Sequence, residues 1–154
     1  TAFVKNSYIG RTFIKPKQSN RESSVQVKLN VLKEAVNGKR VIMIDDSIVR
    51  GTTSDRIVSM LKEAGAKEVH VRISSPPFLY PCYFGTDVPD SDQLIAYNRT
   101  IEEIRQIIGA DSLGYLKLER LPELTGGRQF CQGCFTGKWP IDPPKEDIRG
   151  EYDA

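Results

Sequence analysis

The sequence predicts an α/β fold in which helices flank a mostly parallel sheet. The run from Val41 to Ile44 is continuously apolar, as in a strand that is covered on both faces. A helical pattern follows from about Ser54, and a second apolar run occupies residues 68–73. Strand, helix and strand in this order form a βαβ unit, whose two strands are parallel. We therefore expect helices on both faces of the sheet.

The helix inside this unit has one apolar face. Ile57, Val58, Leu61 and Ala64 recur at helical spacing, and Gly65 is placed to end the helix. These four side chains are predicted to face the sheet.

An earlier helix is predicted upstream of the first strand. Ser24 is a candidate N-cap, and Asn37-Gly38 is a stop signal. The apolar residues that would share one face of this helix are Val27, Val31, Leu32, Ala35 and Val36.

A later helix begins at a capping-box pattern formed by Thr100 and Glu103. It is predicted to end at Gly109, and a terminal strand is predicted from Leu113 to Leu118. The isoleucines predicted to be buried in this helix are Ile101, Ile104, Ile107 and Ile108.

The two ends of the chain are less regular. Residues 1–4 read like the end of a strand, and residues 6–24 are polar, basic and aperiodic, as in a long mobile loop. From Thr125 onward, Gly, Pro and Cys predominate without a period. We expect one domain over 1–124 and an irregular C-terminal segment over 125–154. Because the first residue is not Met, we also expect a piece of a longer protein.

Composition excludes several classes of function. Hydrophobic residues make up 39% and charged residues 27% of the chain, and the formal net charge is +2. These are ordinary values for a soluble domain and give no general attraction to nucleic acid or to a membrane surface. No apolar run approaches the roughly 20 residues that span a bilayer. A cytoplasmic protein is the default expectation.

Two acidic residues follow the first strand of the βαβ unit. Ligands of open α/β sheets bind at the carboxyl ends of the strands, where Asp45 and Asp46 would lie. Ionised carboxylates only accept hydrogen bonds, so they suit vicinal ribose hydroxyls or a Mg²⁺-bound ligand.

The turn after these acids is suited to a phosphate group. Gly51 permits a tight approach of the backbone to an anion, while Arg50 adds a positive charge. Thr52, Thr53 and Ser54 offer hydroxyl and amide donors at a helix N-terminus. The alternative is a strand end and a helix cap without a ligand. A P-loop is excluded because its Gly-Lys-Ser/Thr ending is absent.

The segment Ile44–Ser54 resembles the signature of type I phosphoribosyltransferases. Its form, Ile-Asp-Asp-Ser-Ile-Val-Arg-Gly-Thr-Thr-Ser, is more specifically similar to the glutamine phosphoribosyl-diphosphate amidotransferases, which open de novo purine synthesis. The resemblance extends to Phe3–Asn6 with Tyr8, to Gly10–Ile14 and to Glu102–Asp111. The resemblance implies that the chain has the type I phosphoribosyltransferase fold and that it is a C-terminal piece of such an enzyme.

The resemblance also implies roles for individual residues. Asp45 and Asp46 would hold the ribose hydroxyls and the magnesium–diphosphate complex, and the loop Ser47–Ser54 would wrap the 5-phosphate. Lys5, Tyr8 and Arg11 would belong to a catalytic loop that closes over the substrate. From the residues alone, a solvated basic linker is the alternative for that loop.

The implied reaction makes 5-phosphoribosylamine, diphosphate and glutamate from glutamine and phosphoribosyl diphosphate. Ammonia would come from glutamine in an N-terminal domain that this sequence does not contain, so the piece alone would be inactive. Purine nucleotides would act as feedback inhibitors, and a homo-oligomer is expected. The rivals are a non-catalytic regulator on the same fold, which senses phosphoribosyl diphosphate, and an iron–sulfur electron carrier.

The chain has three cysteines, Cys82, Cys131 and Cys134. A Cys-x-x-Cys pair can be redox-active, metal-binding or incidental, and three thiolates are one short of a closed zinc or iron–sulfur site. His70 lies within an apolar strand and is not expected to be a ligand. The resemblance to the iron–sulfur subgroup, like the Bacillus enzyme, implies a [4Fe–4S] cluster on these three cysteines and a fourth located upstream.

Overall fold

The structure, a computed structural model, describes residues 2–5, 29–84, 90–124, 126–128 and 130–142. The long loop predicted over 6–24 lies outside these residues. Strand β1 (Phe3–Lys5) pairs with β2 (Leu29–Val31) in a small antiparallel sheet. The main sheet is parallel and has the order β3, β4, β5. Its strands are Arg40–Asp45, Glu68–Ile73 and Ser112–Tyr115.

Helices occupy most of the connections. The two longer ones are α2 (Thr52–Glu63) and α3 (Ile101–Ile107). The shorter ones are α1 (Lys33–Val36), α4 (Leu121–Leu124) and α5 (Gly133–Thr136). Single 3₁₀ turns lie at Ser91–Gln93 and Leu118–Arg120. Within the described ranges, none of the helices combines the length and the apolar character needed to cross a membrane.

The predicted βαβ unit is confirmed as β3, α2 and β4. The strand predicted over 68–73 has these bounds in the structure. Helix α2 stops where Gly65 adopts a left-handed φ of 95°, and the Ala66 N–H donates to the Leu61 carbonyl at 3.0 Å. Because β3 and β4 pair in parallel from Arg40↔Glu68 to Asp45↔Ile73, their carboxyl ends meet at one edge of the sheet.

The hydrophobic core lies between one face of the sheet and the helices α2 and α3. Val58 and Leu61 from α2 are almost fully covered, at 1% and 0% exposure. They meet the inward face of the sheet, to which the predicted pattern of α2 assigned them. The buried residues that share this core are Val36, Met43, Ile48, Val69, Val71, Ile73, Ile95, Ala96, Ile104, Ile108 and Ala110.

The opposite face of the sheet is open in the described part of the chain. Ile42 and Ile44 on β3 are 67% and 76% exposed, because successive side chains of a strand point to opposite faces. The prediction that both faces of this strand are covered is therefore wrong for the described residues. Its continuous apolar run resembles that of a two-sided strand, but here only Met43 and, partly buried, Val41 pack against the core.

The helix predicted from Ser24 is wrong over 29–31. Val31 belongs to β2 and pairs with Phe3 of β1, while the helix contains only Lys33–Val36. The apolar spacing of this segment is compatible with a helix, but pairing with a strand near the N-terminus satisfies the same backbone groups. The predicted stop at Asn37-Gly38 is confirmed.

Helix α3 begins at the predicted capping box. The Thr100 hydroxyl accepts from the Glu103 N–H at 3.2 Å, and the Glu103 carboxylate accepts from the Thr100 N–H at 2.7 Å. Ile104 is buried as predicted.

Two details of this region were predicted wrongly. Ile101 and Ile107 are 48% and 50% exposed, because the helix is short and presents only one narrow stripe to the sheet. Strand β5 ends at Tyr115 rather than Leu118, since Leu118 begins a 3₁₀ turn.

Candidate functional site

The two acidic residues lie at the carboxyl edge of the main sheet. Asp45 is the last residue of β3, and Asp46 follows it. The Asp46 N–H donates to Asp45 Oδ1 at 3.0 Å, and Ser47 Oγ donates to Asp46 Oδ1 at 3.3 Å. Ser74, just after β4, donates to the Asp45 carbonyl from its N–H and its hydroxyl, at 3.0 and 3.1 Å. The end of β3 is thus fixed to its neighbour in the sheet.

Asp45 is partly buried and lies beside a second carboxylate. Burial raises the pKa of this carboxyl above its usual range, and the adjacent Asp46 charge also raises it. The hydrogen bond from the Asp46 N–H lowers the pKa; its influence is smaller than that of burial but larger than that of the Asp46 charge. Asp45 is half-buried whereas Asp46 is exposed, and a divalent cation or a hydroxyl donor at this edge would offset the repulsion between their charges.

The loop after the acids is anchored in the core by Ile48. Its side chain is only 2% exposed, and it packs with Met43 and Ile95 in the buried cluster. The Val49 carbonyl accepts from the Ile95 N–H at 2.8 Å. An apolar side chain within a polar loop therefore sets the depth of the loop against the sheet.

Gly51 is the turning point of the loop and the N-cap of α2. Its φ of 85° lies in the left-handed region, which side chains rarely adopt. A Cβ on this residue would also collide with the side chain of Ile95. Only glycine satisfies both conditions, of which the sequence pattern indicated the tight turn but not the contact with Ile95.

The first turn of α2 presents hydroxyl and amide donors. Thr52 and Thr53 are exposed, and the first amides of a helix have no acceptor within it. The positive end of the helix dipole points in the same direction. Ser54 differs, because it is only 3% exposed, so its hydroxyl is withdrawn from the surface on which the threonines lie.

Arg50 completes the loop and is held by a distant residue. Its Nη2 donates to Gln93 Oε1 at 2.8 Å. Carboxylates, a guanidinium and helix N-terminal amides therefore occur within ten residues of chain at one sheet edge. This arrangement can bind a ligand that carries both an anion and hydroxyl groups or a metal ion.

The predicted closing-loop residues are only partly described. Lys5 is the last residue of β1, so its backbone is ordered into the small sheet. Tyr8 and Arg11 lie outside the described residues. Their assignment to a catalytic loop stays a prediction.

Ile48, Ile95 and Gln93 contribute to the loop but were not identified from the sequence. Ile48 had a local signal, since it is an apolar residue between Ser47 and Arg50 in an otherwise polar turn. Ile95 and Gln93 had none, because they contact the loop from more than forty positions away.

Cys134 lies at a second place in the fold, where the C-terminal segment meets the segment after β4. The Leu79 and Tyr80 N–H groups donate to the Cys134 carbonyl at 2.9 and 3.1 Å, which ties the C-terminal segment to the segment after β4. The Phe78 and Phe135 rings meet with centroids 5.1 Å apart.

The environment of Cys134 includes the other two thiols. Burial raises the pKa of Cys134 to about 11, and the nearby Cys82 and Cys131 also raise it. In the described ranges, no three His, Cys, Asp or Glu side chains converge closely enough for a single metal ion. In a four-iron cluster each cysteine binds a separate iron, so such ligands need not converge on one point.

His70 takes no part in either site. On β4, its Nδ1 lies 2.8 Å from Ser112 Oγ and its Nε2 lies 3.0 Å from Glu68 Oε2. Both ring nitrogens therefore have a partner within hydrogen-bonding distance.

Comparison with known proteins identifies close relatives of the chain. No protein-family model matches it. The amidophosphoribosyltransferase of Archaeoglobus fulgidus is 56% identical over 148 residues, which cover 94% of this chain and 32% of that protein. The amidophosphoribosyltransferase of Bacillus subtilis is 54% identical over 147 residues, covering 90% and 30% respectively. The chain thus spans about a third of the length of these relatives.

Solved structures agree with the sequence comparison. The glutamine phosphoribosylpyrophosphate amidotransferase of B. subtilis, complexed with ADP and GMP, matches with a TM-score of 0.76 and 51% identity. The match covers 94% of this chain and 33% of that one. A structure described as the allosteric regulatory enzyme of purine biosynthesis matches with a TM-score of 0.77 and 51% identity, covering 94% and 32%.

Proposed function

We propose that this chain, a member of the amidophosphoribosyltransferase family by sequence and by its type I phosphoribosyltransferase fold, forms the site for phosphoribosyl diphosphate in that enzyme. The complete protein would transfer the phosphoribosyl group to ammonia released from glutamine, in the first step of purine biosynthesis. The observation that carries the proposal is the convergence of Asp45, Asp46 and the Gly51 turn at one sheet edge.

Each part of the substrate has a complementary group in this loop. The 5-phosphate would lie at the N-terminus of α2, where Thr52 and Thr53 are exposed and backbone amides face an anion. Asp45 and Asp46 would accept hydrogen bonds from the ribose hydroxyls. They would also approach the Mg²⁺ that accompanies the diphosphate, since carboxylates are hard oxygen ligands suited to this ion.

Closure over the substrate is part of the proposal. Departure of diphosphate leaves an electron-poor sugar that water would capture, so the site has to exclude water. Lys5, Tyr8 and Arg11 would supply this cover, and the two cations would face the negative leaving group. Nucleotide feedback is also proposed, because the B. subtilis relative was solved with ADP and GMP.

The enzyme is favoured over a regulator that only senses phosphoribosyl diphosphate. Relatives at 52–56% identity are named as amidophosphoribosyltransferases. An electron carrier is disfavoured because a substrate loop of this kind has no use in that class of protein.

The acidic pair provides the decisive test. In the complete protein, Asp45→Asn combined with Asp46→Asn removes two anionic acceptors and should weaken binding of magnesium phosphoribosyl diphosphate by at least about a hundredfold. The measurement is calorimetric titration of the folded variant.

The control for this test is Glu34→Gln combined with Glu63→Gln. These residues are exposed on α1 and α2, and the change in net charge is the same. Unchanged affinity in a folded Asp45/Asp46 variant would sink the assignment of the acids.

We also propose that Cys82, Cys131 and Cys134, with one further ligand, hold a [4Fe–4S] cluster. The donor set fits, because Cys82 and Cys131 lie close enough to Cys134 to raise the pKa of its thiol and thiolates are the ligands of such clusters. When bound, the cluster would connect the segment after β4 to α5 and stabilise the C-terminal part of the chain.

Metal content tests the cluster directly. The complete protein, purified without oxygen, should contain about four irons and four sulfides per chain. Replacement of Cys82, Cys131 or Cys134 by Ser should remove them, because a hydroxyl is a harder and more basic ligand. One zinc per chain, or no metal in the unsubstituted protein, would reject the cluster.

A further inference from the structure

A chain of polar side chains reaches the substrate loop from a distant turn. Gln93 ends the 3₁₀ turn Ser91–Gln93, and its Oε1 accepts from Arg50 Nη2 at 2.8 Å. On its other side, Gln93 Nε2 donates to Asp90 Oδ2 at 3.3 Å. Two hydrogen bonds thus connect the two loops, from Asp90 through Gln93 to Arg50.

The chemistry of the two neighbours fixes the orientation of the Gln93 amide. An ionised carboxylate only accepts hydrogen bonds, and a guanidinium only donates them. The NH₂ group must therefore face Asp90, and the oxygen must face Arg50. A flipped amide would place two acceptors together on one side and two donors on the other. Gln93 matches both neighbours only in the observed orientation.

The same turn supports the loop through Ile95. Its N–H donates to the Val49 carbonyl at 2.8 Å, and its side chain fills the space beside Gly51. Ile95 is 5% exposed and belongs to the core. The turn is therefore anchored to the core by Ile95, and Gln93 extends from it towards the loop.

We propose that Gln93 is a positioning residue that holds the Arg50 guanidinium in the orientation needed to bind phosphoribosyl diphosphate. This inference rests on the proposed function of the loop. A long Arg side chain has many rotamers, and restricting them before the ligand arrives lowers the entropy lost on binding. Gln93 acts on the substrate only through Arg50.

Loss of this contact should appear in affinity rather than in turnover. Gln93→Met keeps the length of the side chain and removes both hydrogen bonds. In the complete protein, the Kd for magnesium phosphoribosyl diphosphate should rise about tenfold, and the KM should rise with it. The kcat should change much less, since Arg50 can still reach its position once the substrate has bound.

A matched control separates this effect from a general surface change. Gln106→Met removes an exposed Gln on α3, whose Nε2 donates to Glu102 at 3.2 Å, and it should leave the Kd unchanged. Asp90→Ala provides a second variant that leaves Gln93 itself in place. It frees the amide to rotate and should weaken binding in the same direction but less.

A double-mutant cycle tests whether the effect passes through Arg50. In an Arg50→Met background, Gln93→Met should change the Kd by less than about twofold, because the group it positions is gone. Equal effects of Gln93→Met in both backgrounds would show a general structural role and overturn the inference. The inference would also be overturned if the single variants Gln93→Met and Gln106→Met had the same Kd. If the unsubstituted protein binds no phosphoribosyl diphosphate, the proposed function itself fails, and this inference fails with it.

Discussion

Gly51 meets two separate requirements at the residue scale. Its φ of 85° is costly for any residue with a Cβ, and the side chain of Ile95 occupies the place where a Cβ would lie. Gly38 meets only the first requirement, since its φ is 71° and a Cβ there would meet nothing within 4 Å. The pair therefore allows backbone strain and steric contact to be measured separately.

Gly38→Ala should lower the free energy of unfolding by about 1 kcal/mol, through backbone strain alone. Gly51→Ala should lower it by roughly 1–3 kcal/mol more, because the core has to accommodate an additional methyl group. Denaturant titration measures both variants. Equal losses would mean that Ile95 moves aside freely and does not define the loop.

The residues of the site differ in how far the sequence reveals them. Asp45, Asp46 and Gly51 occur in one local motif, so their types and spacing indicate their location. Gln93 reaches Arg50 from another part of the chain, and no local pattern marks that contact. Loop residues that act through tertiary packing become visible only when the fold brings them together.

At the scale of single elements, α3 shows how a local signal determines a boundary. The capping box between Thr100 and Glu103 satisfies amides at the start of the helix. The Thr100 N–H and hydroxyl both donate to the Glu103 carboxylate, and they hold the pKa of Glu103 below its usual range. This helix begins where the sequence indicated because its cap needs no distant partner.

Removal of the cap should destabilise the protein by a modest amount. Thr100→Ala should cost about 1 kcal/mol of unfolding free energy, whereas Thr100→Ser keeps the acceptor and should cost much less.

The stability contributed by the cap should also depend on pH. The pKa of Glu103 is lowered in the folded state, so the contribution of this carboxylate to the free energy of unfolding is present above the unfolded-state pKa and is lost as the pH falls through the folded-state value. Denaturant unfolding at neutral and acidic pH measures this. The Ala–Ser difference should shrink in acid, where the bond from the Glu103 N–H to the hydroxyl is retained but the bonds to the carboxylate are weakened, and a difference of the same size at both pH values would contradict the part assigned to the carboxylate.

The segment before α1 shows the limit of local patterns. Val31 has a spacing to Leu32, Ala35 and Val36 that fits a helix, yet it forms a β-bridge with Phe3. The partner strand lies far away in sequence, so its competition with the helix is not visible locally. The opposite holds for α2 and β4. Their hydrophobic periods were sufficient to predict them, because they contact each other and β3, which are all close together in the chain.

At the scale of the whole molecule, the C-terminal segment is attached to the body by aromatic contacts. Trp139 meets Tyr83 and Tyr80 edge to face, with ring centroids 5.2 and 6.1 Å apart. Its ring also lies against Gly133, where a Cβ would collide with it. The described part of the segment predicted as irregular thus packs against the chain that follows β4.

Trp139→Ala should loosen this attachment without unfolding the core. Two aromatic contacts contribute roughly 0.5–1.5 kcal/mol each beyond their buried area, so amide exchange over residues 130–142 should accelerate about tenfold or more. Exchange in β4 should stay unchanged. The comparison variant is Tyr97→Ala, which removes an aromatic ring that is 41% exposed. Equal exchange in both variants would show that the ring contacts do not hold the segment.

The open face of the sheet has a consequence for solutions of the chain at high concentration. Ile42 and Ile44 are largely exposed on β3, which pairs only with β4 among the described strands. An apolar strand whose second edge meets no described strand is a template for adding further strands. A concentrated sample of the 154-residue chain by itself is therefore expected to lose soluble material on storage, faster at higher concentration. The rate at which soluble protein is lost would be set by association through this pair of isoleucines rather than by unfolding of the core.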